Sequence, residues 1–370
     1  MIRAVLGLVI VIVLALAHTA DAYPQFQPSR DITCTGCHIA PDGGGLLNEN
    51  GIGVAEQIAW KPGNGNFMYG MGKPSWLSLG GDLRSAGGFI EADKAGAALY
   101  PMQAEVAANA TTHGFTLHAV GGLRRPDDGG SAIHVLWSRE HYLMWQQNPE
   151  GGQGLYVRVG RLMPTFGLRL AEHIAYTQRY GGRPLYAEAY AASVSYVAIA
   201  AEAHVTVFRH DSLGSAVEHG DGGAIYLEGR ITGHLQFGAE AKYSSSDELH
   251  RTFIGVTGKY FLEDHDVQVL GEAQLIRDRI TEGSGDRATR LAAYVLASKP
   301  LSKGLMLDAG VGHYTQDTRV KGLTRDCLDV NLHWFQTSHI EWLFTGRVEL
   351  LDVGRGNNGG YALAQLHYRL

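Results

Sequence analysis

A period of two residues runs through most of this chain and constrains its fold more than any other feature. From Pro74 onward, stretches of about ten residues alternate apolar and polar side chains between Gly, Asp, Asn and Ser turns, which is the pattern of β-strands. Val267, Val269, Ala273 and Leu275 share one face, with Gln268, Glu272 and Gln274 on the other. Ile340, Trp342, Phe344, Val348 and Leu350 stand in the same way against Glu341, Thr345, Arg347 and Glu349. Sixteen such segments are counted, the first at 76–90, the second at 99–112, the sixth at 185–197 and the last at 359–370.

The connections between segments are sorted by length. Those after odd-numbered segments are mostly long and polar, as in Arg125 to Ala132, Leu168 to Pro184, His210 to Gly223, Arg279 to Asp286 and Thr315 to Thr324. Those after even-numbered segments are mostly short, as at Thr112-His113, Ala198, Gly233-His234 and Ser338, with Gln147 to Gly154 a longer member. A soluble sandwich has no need of that sorting, whereas a transmembrane barrel has an even strand number, short turns at one end and long loops at the other. The aromatic residues Trp76, Trp137, Trp145, Tyr243 and Tyr260 fall near segment ends, where an interfacial girdle would place them. The last segment, with Ala362, Ala364, Leu366, Tyr368 and Leu370 on one face, resembles the terminal strand of outer-membrane barrels.

Parity also sorts the charges. Arg158, Glu202, Glu228, Arg230, Glu240, Lys242, Lys259, Glu272, Arg347, Glu349 and Arg369 fall on the inward side. An Arg or Lys facing lipid near the midplane costs about 2–4 kcal/mol, so this parity predicts a wet lumen, its mixed signs forming a salt-bridge lattice rather than a selective filter. His118, His204, His333 and His367 share the parity and read as lumen hydrogen-bonding groups, with metal binding the sharper alternative. The formal net charge of −6 and the lack of a basic patch argue against nucleic acid as a partner.

Residues before Pro74 have a different character. Arg3, the apolar run from Ala4 to Ala17 and the triplet Ala20-Asp21-Ala22 have the order of a secretory signal peptide over 1–22, with cleavage before Tyr23. The run is shorter than the roughly 20 residues of a membrane helix. Residues 23–73 hold Cys34-Thr35-Gly36-Cys37-His38. That pattern suits one covalent haem c, with Cys34 and Cys37 each adding to a vinyl group and His38 the proximal iron ligand. A redox pair wants a βαβ context, and a zinc site wants a second ligand pair, which this chain lacks; a simple disulfide has no need of His38. For the distal ligand the segment offers Met68 or Met71, which serve equally well as packing, and a lumen histidine is a further candidate. The third cysteine, Cys327, reads as inert packing or as a reactive thiol.

The expected fold is therefore all-β: a 16-stranded antiparallel transmembrane β-barrel over 74–370, preceded by a small c-type haem module over 23–73. An even strand number puts both termini on the periplasmic side, so the haem lies at that mouth or plugs the lumen from below. A barrel's apolar band is about 25 Å tall, more than one haem bridges unaided, so a donor, an acceptor or another redox protein would have to enter the lumen.

This arrangement resembles the fused monohaem cytochrome–porins of the outer membrane, whose characterised members oxidise extracellular ferrous iron. The resemblance covers the mature chain in architecture, and only Cys34, Cys37 and His38 carry over residue by residue. Gly160-Arg161-Leu162-Met163-Pro164-Thr165-Phe166-Gly167, followed by Glu172-His173, also looks like a segment of porin-like partners of extracellular electron transfer. The resemblance implies the outer membrane of a Gram-negative bacterium, contact with outer-membrane lipid, a periplasmic c-type cytochrome as partner, and an extracellular electron donor or acceptor. With Fe(II) as donor the chain would be an extracellular Fe(II) oxidase; otherwise it is an electron carrier rather than an enzyme. Two alternatives stand beside this: a solute porin whose haem is a structural plug or redox gate, and a soluble periplasmic cytochrome with a β-rich domain.

Overall fold

The computed structural model describes residues 27–30, 32–91, 96–124, 135–170, 174–211, 220–281, 287–351 and 358–370. The expected leader over 1–22 and the pair Glu172-His173 lie outside the described residues. Sixteen strands close into one barrel. In chain order they are β1 Leu77–Glu91, β2 Gly96–Thr112, β3 Phe115–Arg124, β4 Val135–Gln146, β5 Gly154–Leu162, β6 Ala189–Val197, β7 Ala201–Arg209 and β8 Asp221–Thr232. The second half comprises β9 Leu235–Ser245, β10 Leu249–Leu262, β11 Val267–Ile280, β12 Arg287–Ser302, β13 Leu305–Thr315, β14 Thr324–Phe335, β15 Ile340–Leu351 and β16 Gly359–Arg369. Each strand pairs antiparallel with its sequence neighbours, and β1 meets β16 in a seam from Asp82↔Arg369 to Glu91↔Gly360. Closure pairs the edges that an open sheet would leave as templates for another chain.

Alternation decides what each face meets. Along β11, Gln268, Leu270, Glu272, Gln274, Ile276 and Asp278 are buried toward the interior. On the outer wall Leu117, Val159, Val207, Val256 and Val311 are each more than half exposed. So extended an apolar exterior over charged interior positions is the polarity of a barrel immersed in lipid. No helix among the described residues is long and apolar enough to cross a membrane.

The sixth strand begins at Ala189, four residues later than the sequence pattern predicts, because the β5–β6 connection runs through Glu188 and turns into the barrel. Sequence reading places Leu168 to Pro184 among the outer polar loops. Instead Phe166, Leu168, Leu170, Ala175 and Tyr176 are almost fully buried against wall residues Tyr142, Met144, Phe253, Tyr294 and Leu296. Their apolar surface outweighs the polarity of the neighbouring residues. Gly167 makes the inward turn with φ +63°, where any side chain would collide with the Glu272 carboxylate. The connection is then wired to the wall: Lys242 Nζ donates to Gly182 O at 2.8 Å, Gly182 N to Gln274 Oε1 at 3.0 Å, and Arg347 Nη1 to Ile174 O at 2.9 Å.

All the charges read as inward-facing lie on the interior side, but the lumen they line is not the wet one expected. Lys242, Lys259 and Arg347 are each 2% exposed, and Asp308 and Asp329 are 0% exposed. They form a dense ion-pair lattice. Arg347 grips Asp329 at 2.6 and 3.0 Å, and His333 lies between Asp308 at 3.2 Å and Glu341 at 2.9 Å. His367 continues the chain from Glu341 to Asp82, across the seam. Replacing Arg347 by Leu strands the Asp329 carboxylate in the interior, a loss of about 3–5 kcal/mol. The expected outcome is that the folded band on a heating-series gel disappears at a lower temperature than in the parent.

Candidate functional site

The Cys-x-x-Cys-His motif lies inside this packed barrel, at the end that carries the short turns. The placement follows from hydrogen bonds: Pro28 O faces His234 Nδ1 at 3.4 Å, Trp60 N donates to Phe335 O at 2.8 Å, and His339 Nε2 contacts Asn64 O at 2.6 Å. Lys259 Nζ, on β10, reaches Gln27 Oε1 at 2.5 Å. Residues 27–72 therefore form a plug entering from the short-turn mouth.

Cys34–Gly36 is one turn of 3-10 helix, whose three-residue period brings Cys34 and Cys37 to the same side. His38 N donates to Cys34 O at 2.9 Å and closes the turn. A second layer clamps it. Asn48 Nδ2 donates to Thr35 O at 2.9 Å, while Asn48 Oδ1 accepts from Gly51 N at 2.9 Å and so caps the Glu49–Ile58 helix. Asn50 Nδ2 donates to Gly36 O at 2.7 Å. Cys37 packs with Val54 and Ile58 of that helix and with Met306 and Phe335 of the wall. One asparagine thus ties helix start and cysteine turn together, a role that sequence reading missed; its only signal is Asn48-Glu49 before a helix.

Three glycines border the motif with φ of +77°, +77° and +59° at Gly43, Gly44 and Gly45. A Cβ on Gly43 would stand 3.4 Å from Cys34 Sγ and 3.8 Å from His38 Cδ2, so this backbone approaches thiol and imidazole closely only because it lacks side chains. His38 Nδ1 is buried and makes no hydrogen bond among the described residues. Burial pulls the His38 imidazole down to about 4, so it stands neutral, the form that ligates metal. Burial pushes the Cys34 thiol up to about 12, and Gln27 Nε2 donates to its sulfur at 3.1 Å. Two thiols on one turn, a neutral imidazole beside them with an unpartnered nitrogen, and a side-chain-free backbone across them fit a covalently attached haem.

The other expected groups are dispersed. Met68 and Met71 are 47% and 50% exposed, in a turn whose Tyr69 ring lies 4.1 Å from the His339 ring. Among the lumen histidines, His118 comes nearest the glycine run: its Cε1 lies 3.8 Å from the position a Cβ on Gly45 would take. Its Nδ1 is 2.5 Å from Asn109 Oδ1, its ring stacks on Tyr142, and its buried Nε2 has no hydrogen-bond partner, the Glu140 carboxylate standing 3.6 Å away. His204, His333 and His367 make lumen hydrogen bonds to Ser195, to Asp308 and Glu341, and to Glu341 and Asp82 respectively. Cys327 is buried, with Arg347 Nη2 at 3.2 Å from its sulfur.

Asp42 is the mechanical centre, and the sequence shows it only as a turn residue in Pro41-Asp42-Gly43. Arg158 on β5 grips both its oxygens at 2.8 and 2.9 Å, and Thr165 Oγ1 of the inward connection donates to it at 2.8 Å. Plug, wall and connection meet at this carboxylate. Burial alone would raise the Asp42 carboxyl; the Arg158 guanidinium overcomes that and holds it well below the usual carboxylate range. Nearby, Arg169 of the same connection pairs with Glu202 at 3.0 Å and lies over the Tyr226 ring.

No protein-family model and no curated protein matches the chain. Among solved structures it is similar to outer-membrane expressed OmpT of Vibrio cholerae, at 12% identity and TM-score 0.63, over 81% of this chain and 100% of that one. It is similar to an anion-selective porin from Comamonas acidovorans, at 11% identity and TM-score 0.61, over 80% and 99% of the two chains. It is also similar to the outer membrane channel DcaP of Acinetobacter baumannii, at 10% identity and TM-score 0.59, over 80% and 97%. At these identities the likeness is one of fold: a closed 16-stranded barrel of the outer-membrane porin kind.

Proposed function

We propose that the chain is an outer-membrane electron conduit, a fused monohaem cytochrome–porin in which one covalent haem c sits in a plugged barrel. In this reading Cys34 and Cys37 would hold the haem and His38 would ligate its iron, and the group, when bound, would supply one-electron chemistry. The observation that supports the reading is the placement of Cys34, Cys37 and His38, the second buried and the other two half-buried, inside a barrel whose interior is filled by the plug, the inward connection and a lattice of ion pairs. The short-turn end would face the periplasm and a c-type cytochrome, and the long-loop end an extracellular donor or acceptor, Fe(II) among them. Around the haem the protein's part is to exclude water, fix the imidazole and set the local charge through Arg169, Glu202 and Asp42.

Outer-membrane fractions are the test. Fe(II) should reduce the haem, followed at its absorption band; haem that is present but unresponsive to any extracellular donor or acceptor defeats the conduit.

The distal position is a choice between Met68 or Met71 and His118. A Met68→Leu/Met71→Leu double variant with an unchanged haem spectrum assigns His118, and loss of the low-spin spectrum assigns a methionine.

A solute porin is the second reading, with residues 27–72 as structural plug or redox gate. The fold shared with channels and an anion-selective porin favours it. Single-channel conductance decides, since an open pore indifferent to haem loss belongs to a porin.

A further inference from the structure

At the long-loop end, on the outer wall, β9 to β12 present a cationic hollow. Its orientation follows from strand parity. On β11, Ile276 and Asp278 are buried toward the lumen, so Arg277 and Arg279 stand on the exterior. On β12, Ala292 and Tyr294 are buried, and Arg287 and Thr289 have the opposite parity. Together with Tyr243, His250 and Arg319 these arginines line a cavity of about 650 Å³. Arg319 reaches it from the β13–β14 connection, which is laid over β12 by Thr318 N donating to Thr289 O at 2.7 Å.

Among the described residues that line the hollow, four arginines face one carboxylate. Asp278 is engaged from the lumen side by Arg251 at 2.7 Å and Arg290 at 2.6 Å, and Arg319 is held by Asp317 at 2.8 Å. Among the described residues Arg277, Arg279 and Arg287 have no acidic partner. Guanidinium groups present donor forks that match phosphate oxygens in pairs. Directly toward the membrane centre on the same strands and the same face stand Ile254, Val256 and Val295, each about half exposed or more. The hollow therefore continues an acyl-facing wall and opens sideways, away from the lumen. That geometry suits an amphiphile whose chains lie along the wall and whose phosphate meets the arginines.

We propose that Arg277, Arg279 and Arg287 bind the phosphate of an outer-leaflet lipid, a phosphorylated glycolipid of the lipid A type. The proposal rests on the outer-membrane placement given above and not on the haem. The test uses the full chain purified in detergent, with bisphosphorylated lipid A, dephosphorylated lipid A and inorganic phosphate as probes, read by native mass spectrometry. The parent should retain the bisphosphorylated form about tenfold or more in excess over the dephosphorylated form, and an Arg277→Gln/Arg279→Gln/Arg287→Gln variant should lose that preference. Retention of a parent-like preference by that variant, with its barrel shown intact by heat-modifiable mobility, overturns the site. Displacement of lipid A by equimolar inorganic phosphate also overturns it, since the hollow would then serve a soluble anion. Cell fractionation is read separately: a chain absent from the outer membrane defeats the placement, whereas an unchanged lipid preference in the variant defeats this site alone.

Discussion

A Cys34→Ala/Cys37→Ala variant is expected to lose covalent haem completely while its barrel still assembles. Attachment needs a thioether from each sulfur, so no covalent bond keeps the porphyrin on the denatured chain once both thiols are gone. The barrel does not need them. The Cys34 sulfur accepts a hydrogen bond from Gln27 of the plug, and Cys37 adds one small side chain to a cluster with Val54, Ile58, Met306 and Phe335. Loss of one such group costs about 1 kcal/mol, little against a sheet of sixteen strands. Haem staining of a denaturing gel checks the first half of the expectation, and heat-modifiable mobility of the same sample checks the second. An intact barrel without stain in the parent chain would remove the haem from the account and leave the plug. His38→Ala separates ligation from attachment: the stain remains, and the absorption spectrum changes.

An Asp42→Ala exchange should release the plug. It cuts both ties to Arg158 and the one to Thr165 at once, and leaves the Arg158 guanidinium buried without its counter-charge. Breaking a buried pair from one side costs about 3–5 kcal/mol, so the ratio of docked to undocked plug falls roughly a hundredfold or more. Planar bilayer recording should then show a conducting state that the parent lacks. Acid provides a graded version of the same experiment. Because Arg158 holds the folded-state carboxyl below its unfolded value, the tie contributes fully above the ordinary carboxylate range and is lost only as pH falls through the depressed value. Acidification to about pH 4 should therefore leave the parent closed. Conductance of the Asp42→Ala variant equal to that of the parent would mean that the β5–β6 connection, not the plug, closes the lumen.

How far the sequence reveals this molecule depends on which interactions are local. Strand number, facing and the inward charges are legible because a period of two carries them residue by residue, as Gln268 to Asp278 on β11 shows. The Cys34-to-His38 pattern, on which the proposed haem rests, is legible because it is written in five consecutive residues. The fate of Leu168 to Pro184 is not, since a loop with Arg169 and Arg179 among its residues looks solvated until Phe166, Leu168 and Tyr176 find Tyr142, Phe253 and Tyr294 across the barrel. Asp42 and Arg158 are 116 residues apart, and no periodicity joins them. Met68 and Met71 stand close to the motif in sequence but on an exposed turn, whereas His118, eighty residues from His38, borders its glycine run.

The seam between β1 and β16 is where the cylinder closes. The plug inside this cylinder is tied to three separate parts of the wall, to β5 through Arg158, to β10 through Lys259 and to β14 through Phe335. The N-terminal segment emerges first, and β16 is the last strand to arrive. Closure pairs Asp82 to Glu91 with Gly360 to Arg369, joining the first strand to the last around the plug. His367, reaching Asp82 across that junction, is the latch.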